Sequence, residues 1–408
     1  MDIAKRFDQI AQFLTPFTPI WDREILHFYP HILSSYSDEL LKPLFELSDE
    51  ELWQIDGKKD FSSIAGSKLE QLFSQMIALS DIPVAPLNRE MLPKKALYKV
   101  KKKKVHEIES LSPTLAHAIR ECRANTMVDI GGGVGHLSRI MTHYHGIRTI
   151  SIDKNSSLQQ TGRERLCSHL SNQQLRFEHI TFGEDSRQLD SIFTPDSFTV
   201  GLHTCGPLAV THLKESVEHS VRGLINFGCC YLKITSPQDI NLSQQAKQHQ
   251  LAISNHALTL ATRGQIINDF EDFLLKKRVK LYRYMLHLLL YHQFDRHHFV
   301  GVGDSSPKLY QKSFAHYAGE KLKVLNIKHQ LTAQQLEHFF HESQHQDLVK
   351  KMFLMNIFRW QFGRVVELFI LLDRALYLKE SGLQVEINRY FDENISPRNI
   401  GILAKNSR

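Results

Sequence analysis

Between Met127 and Leu137 the chain runs through an apolar stretch, Met127-Val128-Asp129-Ile130, and breaks into Gly131, Gly132, Gly133 and Gly135. A helical pattern then extends from Leu137 to Tyr144. A strand that ends in glycines and turns into a helix is the first unit of a Rossmann-like domain, where a ligand meets the strand's C-terminal end. Glycine permits positive φ and a close approach of ligand to backbone, and the helix N-terminus supplies free N–H groups. The spacing excludes one ligand class. A dinucleotide fingerprint reads G-x-G-x-x-G, and its third place falls here on His136.

What the chain has instead is Asp129, one residue, and then Gly131, Gly133 and Gly135. This resembles the first motif of class I methyltransferases, whose cofactor is S-adenosyl-L-methionine. The likeness implies that Asp129 and the three glycines hold that cofactor. A second apolar run, Thr149 to Ile152, ends on Asp153. An acid at that place accepts hydrogen bonds from both ribose hydroxyls of a bound adenosine.

Further strands follow at regular spacing. After a helix predicted over Ser157–Leu170, a third strand spans Leu175 to Phe182. A fourth, Ser197 to Leu202, ends in His203-Thr204-Cys205-Gly206-Pro207-Leu208. A fifth, Gly223 to Phe227, ends in Gly228-Cys229-Cys230-Tyr231-Leu232-Lys233. Strands alternating with helices imply a parallel, doubly wound sheet, and both unusual clusters fall at the strand ends where such sheets place their sites. From Ser243 to Glu380 the pattern is helical, and two β-like pieces remain, Leu383–Ile387 and Ile400–Ala404. We read these as an antiparallel hairpin completing a seven-stranded sheet. The predicted plan is α/β: a helical N-terminal region (1–95), a Rossmann-like core (96–242), a large helical insertion roofing the cleft (243–380) and the closing strands (381–408).

Composition sets the outer limits. A chain of 408 residues with 42% hydrophobic and 23% charged content can bury a sizeable core. The N-terminal aromatics, among them Phe7, Trp21, Trp53 and Phe73, read as core. Met1 to Leu14 has no signal-peptide core, and no stretch is apolar for long enough to cross a bilayer, so we expect a cytoplasmic protein without a membrane partner. The five cysteines, Cys122, Cys167, Cys205, Cys229 and Cys230, show neither paired zinc spacing nor a disulfide framework. Net charge is +6, and much of the excess lies in Lys94, Lys95, Lys99 and Lys101 to Lys104. Such a cluster attracts phosphate, as in RNA, when it is more than a solvated helix face. The helix predicted from Lys101 to Cys122 is expected to break at Ser112-Pro113. It opens on His106-Glu107, but H-E-x-x-H needs a histidine where Ser110 stands, so the metalloprotease reading fails.

Several motifs occur together in one order: Lys103-Lys104-Val105-His106-Glu107-Ile108, the glycine motif, Leu202-His203-Thr204-Cys205-Gly206 and Gly228-Cys229-Cys230-Tyr231. Leu372-Asp373-Arg374-Ala375-Leu376-Tyr377-Leu378 and Phe391-Asp392 follow, before Ile395-Ser396-Pro397-Arg398-Asn399. From about Met91 onward the chain resembles the methyltransferase-like 25 family, some of whose members are named for a ribosomal RNA adenine dimethylase-like domain. Pro207 departs from it, standing where that family commonly has an acid. The resemblance implies a methyltransferase fold and cofactor and names no substrate.

The acceptor is argued from the residues. Enzymes that methylate an adenine amino group carry an N-P-P-Y-like motif after strand four, and this chain has His-Thr-Cys-Gly there. Adenine N6 is therefore disfavoured. The His-x-Cys-Gly and paired-cysteine ends are similar to those of a family of tRNA ribose 2′-O-methyltransferases. His203 has the chemistry of a general base for a ribose hydroxyl, or it orients the loop and the cofactor. Lys233 and His106 are secondary catalytic candidates. Cys205 lacks the preceding proline of covalent pyrimidine methylases, so Cys205, Cys229 and Cys230 read as packing beside the cofactor. Adjacent cysteines seldom share a metal well, and no metal ligand is assigned. Asp373–Arg374 reads as a helix-face salt bridge. RNA is the first expected substrate class, a protein side chain the second, and a cofactor-binding regulatory module without turnover the rival.

Overall fold

The apolar run before the glycines forms β1 (Thr126–Ile130), paired in parallel on one side with β2 (Thr149–Asp153) and on the other with β4 (Ser197–Cys205). The computed structural model describes residues 1–86, 89–165, 174–182, 189–263 and 269–406. The predicted helix end toward Leu170, with Cys167, lies outside these. β3 (Leu175–His179) and β5 (Gly223–Cys229) extend the parallel part, while β7 (Ile400–Asn406) and β6 (Leu383–Arg389) close the edge as an antiparallel pair. The order is β3-β2-β1-β4-β5-β7-β6. This is the seven-stranded Rossmann-like sheet that the alternating strands, taken with the class I methyltransferase resemblance, imply. The strand order reverses between β1 and β4, and a crevice opens at such a switch point.

Strand alternation divides the core. Met127, Phe198, Val200, Ile225 and Phe227 pack with Ile108, Leu111 and Leu115 of the helix Lys102–Glu121 and with Leu137, Ile140 and Met141 of the helix His136–His145. The opposite face buries Val128, Ile130, Ile150, Ile152, Ile192 and Phe193. Each such side chain contributes about 1.5–3 kcal/mol on burial, enough to fix the register of the central strands.

Two elements depart from the sequence expectation. The helix Lys102–Glu121 does not break at Ser112-Pro113; Pro113 lies inside it. Proline cannot donate to the carbonyl four residues back, and that carbonyl, of Glu109, instead accepts the backbone N–H of Glu90 at 3.0 Å. β4 runs on beyond Leu202 through His203, which takes φ +66 at a register shift between Leu202 and Thr204, to Cys205. The bulge re-aims the end of the strand.

The chain divides into two compact units. The sheet unit comprises Met1–Phe13, Leu79–Gly264 and Val365–Arg408; the helical unit comprises Leu14–Ala78 and Gln265–Arg364. The sequence separates the N-terminal helices (1–95) from the insertion (243–380), whereas packing joins the greater part of both. In the helical unit Trp53 lies 5.6 Å from Phe270, Phe73 lies 5.9 Å from Phe358, and the Arg359 guanidinium donates to the Trp21 carbonyl at 3.2 Å. Aromatic residues more than two hundred positions apart complete one core, which local periodicity cannot register. No helix among the described residues is long and apolar enough to cross a membrane.

Candidate active site

A cleft of about 500 Å³ opens at the C-terminal strand ends of the sheet unit. Its lining includes Gly131, Asp153, Phe182, Cys205, Leu208 and Lys233. The glycine loop forms one wall. Gly131, Gly133 and Gly135 have φ of +67, +59 and +68, a region that L side chains rarely enter. A Cβ on Gly131 would stand 3.7 Å from Leu208. Both residues line the cleft, so the bare backbone keeps that space open. Gly132, which the spacing did not single out, is constrained differently: a Cβ there would lie 2.9 Å from Asp129 Oδ2 and collide with the Ser151 hydroxyl.

Asp153 stands at the cleft, where its Oδ2 accepts the Gly133 N–H at 2.9 Å and its Oδ1 the Asn155 N–H at 2.8 Å. It therefore ties the glycine loop to the end of β2. Asp129 lies elsewhere. It is 3% exposed, behind the loop, and accepts the Ser138 hydroxyl at 2.5 Å. Burial raises its carboxyl pKa, against the pull of Ser138 and the Lys104 charge. It braces the loop against the following helix and does not line the cleft.

His203, at the bulge near the end of β4, is not itself one of the cleft's lining residues. Its Nε2 lies 2.7 Å from Oε1 of Glu107, which also accepts the Ser396 hydroxyl at 2.7 Å. The Glu107 carboxylate is 1% exposed, with the Lys104 ammonium 3.2 Å from Oε2 and that of Lys103 3.8 Å from Oε1. Burial opposes its ionisation, but the hydrogen bond and charge of His203, then Lys104 and Ser396, prevail and hold it at about 2. An ionised carboxylate only accepts, so the geometry puts a ring proton on His203 Nε2. Glu107 is a functional candidate that sequence reasoning missed. Its signal lay in the His106-Glu107 motif, read for a second histidine rather than for the carboxylate; Ser396 belongs to the segment Ser396-Pro397-Arg398-Asn399, for which the sequence leaves a role near the cleft open.

His106 does not reach the cleft lining. Its Nε2 accepts the Asp392 backbone N–H at 3.0 Å, and burial, helped by the Arg89 charge, lowers its pKa. That is an anchoring contact for the segment after β6. Lys233 is exposed and lines the cleft beside Cys205. The turn that presents it needs Gly206, since a Cβ there would come within 2.6 Å of Lys233 Cβ.

Asp373 and Arg374 make no salt bridge. Neighbouring helix residues point about 100° apart, and each is buried against a different partner. Asp373 accepts the backbone N–H groups of Leu242 and Ser243 at 2.8 Å each. Arg374, 1% exposed, lies 5.4 Å over the Tyr231 ring. The cysteines converge: the Cys205 and Cys229 sulfurs are 3.2 Å apart, and with Cys230 all three ligand atoms lie within 4.8 Å. The hydrogen bond from Cys229 lowers the Cys205 pKa while raising that of Cys229, so the pair holds one negative charge far more readily than two.

The basic run lies at and before the start of the helix Lys102–Glu121. Lys94, Lys95, Lys99 and Lys101 to Lys103 are exposed, and Tyr98, 69% exposed, sits among them. The helical unit holds its own cavity of about 330 Å³, lined by residues such as Glu24, His27, Lys280 and His287, to which none of the strand-end motifs contributes.

Residues 103–237 match a protein-family model described as a methyltransferase domain. The matched segment begins at the basic first turn, takes in the glycine loop, β1 to β5 and the cysteine turn, and ends four residues beyond Lys233.

Proposed function

We propose, from the premise that this chain is a methyltransferase, that it uses S-adenosyl-L-methionine and methylates RNA, at a ribose 2′-hydroxyl rather than at adenine N6. The donor fits the residues present. The positive-φ glycines leave one wall of the cleft as bare backbone, and Asp153 offers carboxylate oxygens at its rim. Gly131, Gly133, Gly135 and Asp153 would hold it. When bound, it supplies a methyl group already activated by a sulfonium, so the protein's work is to position a nucleophile and exclude water. The six ordered motifs support membership of the methyltransferase-like 25 family.

One observation carries the choice of RNA. The helix Lys102–Glu121 bears the basic residues in its first turn and, within one further turn, the Glu107 that orients His203. Lysines at a helix N-terminus oppose the macrodipole, so their placement costs the helix stability and suits an anionic ligand. A polyanion drawn there would come near His203, whose Nδ1 in the neutral ring would accept the proton of an attacking hydroxyl. Exposed Tyr98 among the lysines adds a face for an unpaired base.

The test is transfer of labelled methyl from S-adenosyl-L-methionine to separated RNA and protein fractions. Label in RNA that survives alkaline hydrolysis as a resistant dinucleotide supports ribose methylation, because the 2′-hydroxyl is what cleaves the backbone. Label in N6-methyladenosine overturns the choice of atom. Label confined to protein overturns the choice of substrate.

A further inference from the structure

We propose that Cys205, Cys229 and Cys230 form a binding site for a soft divalent metal ion, Zn²⁺, held by three thiolates at the edge of the cleft. The three side chains come from two neighbouring strand ends and the turn that follows one of them. Cys205 and Cys229 end β4 and β5 as register partners, and their sulfurs are 3.2 Å apart. The largest sulfur separation in the set is within 4.8 Å. Zinc–sulfur bonds of about 2.3 Å in a tetrahedral array place sulfurs about 3.8 Å apart, inside that range. Closing the site changes no sulfur separation by more than about 1 Å.

Adjacency is the objection to such a site, since consecutive side chains on a strand point to opposite faces. The backbone removes it. Cys230 takes φ +49 and ψ +48, a left-handed conformation uncommon outside glycine and asparagine, immediately after β5 ends. This turn brings the Cys230 sulfur to the side of the Cys229 sulfur. The other strand end is similarly bent, with His203 at φ +66 and Gly206 at φ +56 around Cys205. Strained backbone at both ends is retained where a local geometry is being held.

Charge supports the same reading. Three thiolates around Zn²⁺ leave one net negative charge, and a buried negative centre needs a counter-charge. Arg374 supplies one: it is buried against the turn, and none of its three guanidinium nitrogens has a hydrogen-bond partner among the described residues. A Cβ on Gly228, the residue before Cys229, would collide with Arg374 Nη1, so the cation lies directly under the turn. Lys233 stands on the cleft side. Because Cys205 lines the cleft, a fourth ligand such as water comes from that direction.

The experiment uses the full chain, freed of metal by chelation under a phosphine reductant. Zn²⁺ is titrated in competition with a chromophoric chelator, and Co²⁺ is added separately as a spectroscopic probe. The expected result is one equivalent bound, with sulfur-to-cobalt charge transfer and tetrahedral ligand-field bands. Each of Cys205→Ser, Cys229→Ser and Cys230→Ser weakens binding at least ~100-fold, and Cys122→Ser leaves it unchanged. Where a serine variant fails to fold, alkylation of the wild-type protein decides, Zn²⁺ protecting these three cysteines and not Cys122. Absence of uptake by the reduced protein, a cobalt spectrum without charge transfer, or binding that survives Cys230→Ser overturns the site. So does protection from alkylation by a Cys205–Cys229 disulfide alone.

Discussion

Glu107 Oε1 lies 2.7 Å from His203 Nε2 across 96 residues of sequence, joining the first turns of the helix before β1 to the end of β4. A buried, ionised carboxylate thereby holds the direction of an imidazole that stands two residues before the cleft-lining Cys205.

Glu107 touches His203 and no lining residue of the cleft, so it is a positioning residue. Glu107→Gln is expected to lower kcat by about 10²-fold, leaving KM for the methyl donor within a few-fold and altering the pH profile of kcat/KM. His203→Ala is expected to do the same, and the double variant to be no worse than the worse single one, as for groups acting as a unit. Unchanged kcat in both single variants removes His203 from the reaction.

Asp153 bonds both the glycine loop and Asn155. Asp153→Ala is expected to weaken S-adenosyl-L-methionine binding by tenfold or more, about 1.4 kcal/mol, read by calorimetry. Equal affinity in wild type and variant places the cofactor's ribose elsewhere.

The glycines separate two kinds of constraint. Gly133→Ala meets only Leu158, 3.9 Å away, so its penalty is the positive φ, about 1 kcal/mol. Gly132→Ala drives a methyl into Asp129 and Ser151 and is expected to cost about 1–3 kcal/mol, reducing donor affinity as the loop shifts. Denaturant midpoints of the two variants order them, and a milder Gly132→Ala contradicts the geometry.

His212 is wholly buried, bonded to Thr199 and Asn226, and burial lowers its pKa to about 3. The unfolded chain takes up this proton near pH 6.5 and the folded chain only near 3. The neutral histidine's contribution is therefore complete above 6.5 and is lost progressively as pH falls toward 3. His136 and His287 act in the same direction, each lowered to about 4 chiefly by burial. The slope of unfolding free energy between pH 6.5 and 5 should fall by up to about 1.4 kcal/mol per pH unit in His212→Gln. An identical slope in the variant shows that His212 is not buried neutral.

Neutralising Lys101, Lys102 and Lys103 together is expected to weaken RNA binding. It should also flatten the plot of log affinity against log salt by up to about 0.7 for each phosphate that the variant no longer neutralises. Donor binding to the folded variant should persist. An unaltered salt slope returns the run to the role of a solvated helix start.

The sheet and the place of its cleft are legible in the residues alone. Apolar runs of period two, broken at Gly131 and at the cysteine clusters, carry that information locally, and strand order follows from how strands and helices alternate. The same pattern also marks His203, Lys233 and Asp153, because each sits at a strand end where ligands meet such sheets. What those residues face is set by long-range packing. Whether Asp129 braces or binds, and whether His106 reacts or anchors, depends on partners such as Ser138 and Asp392 that the sequence pattern does not pair with them. The pairing of Glu107 with His203, the union of residues 14–78 with 265–364, and the turning of Cys230 beside Cys229 belong to the same class. Propensity and periodicity act over a few residues, while burial, left-handed backbone and long-range hydrogen bonds are settled only when the whole chain has packed.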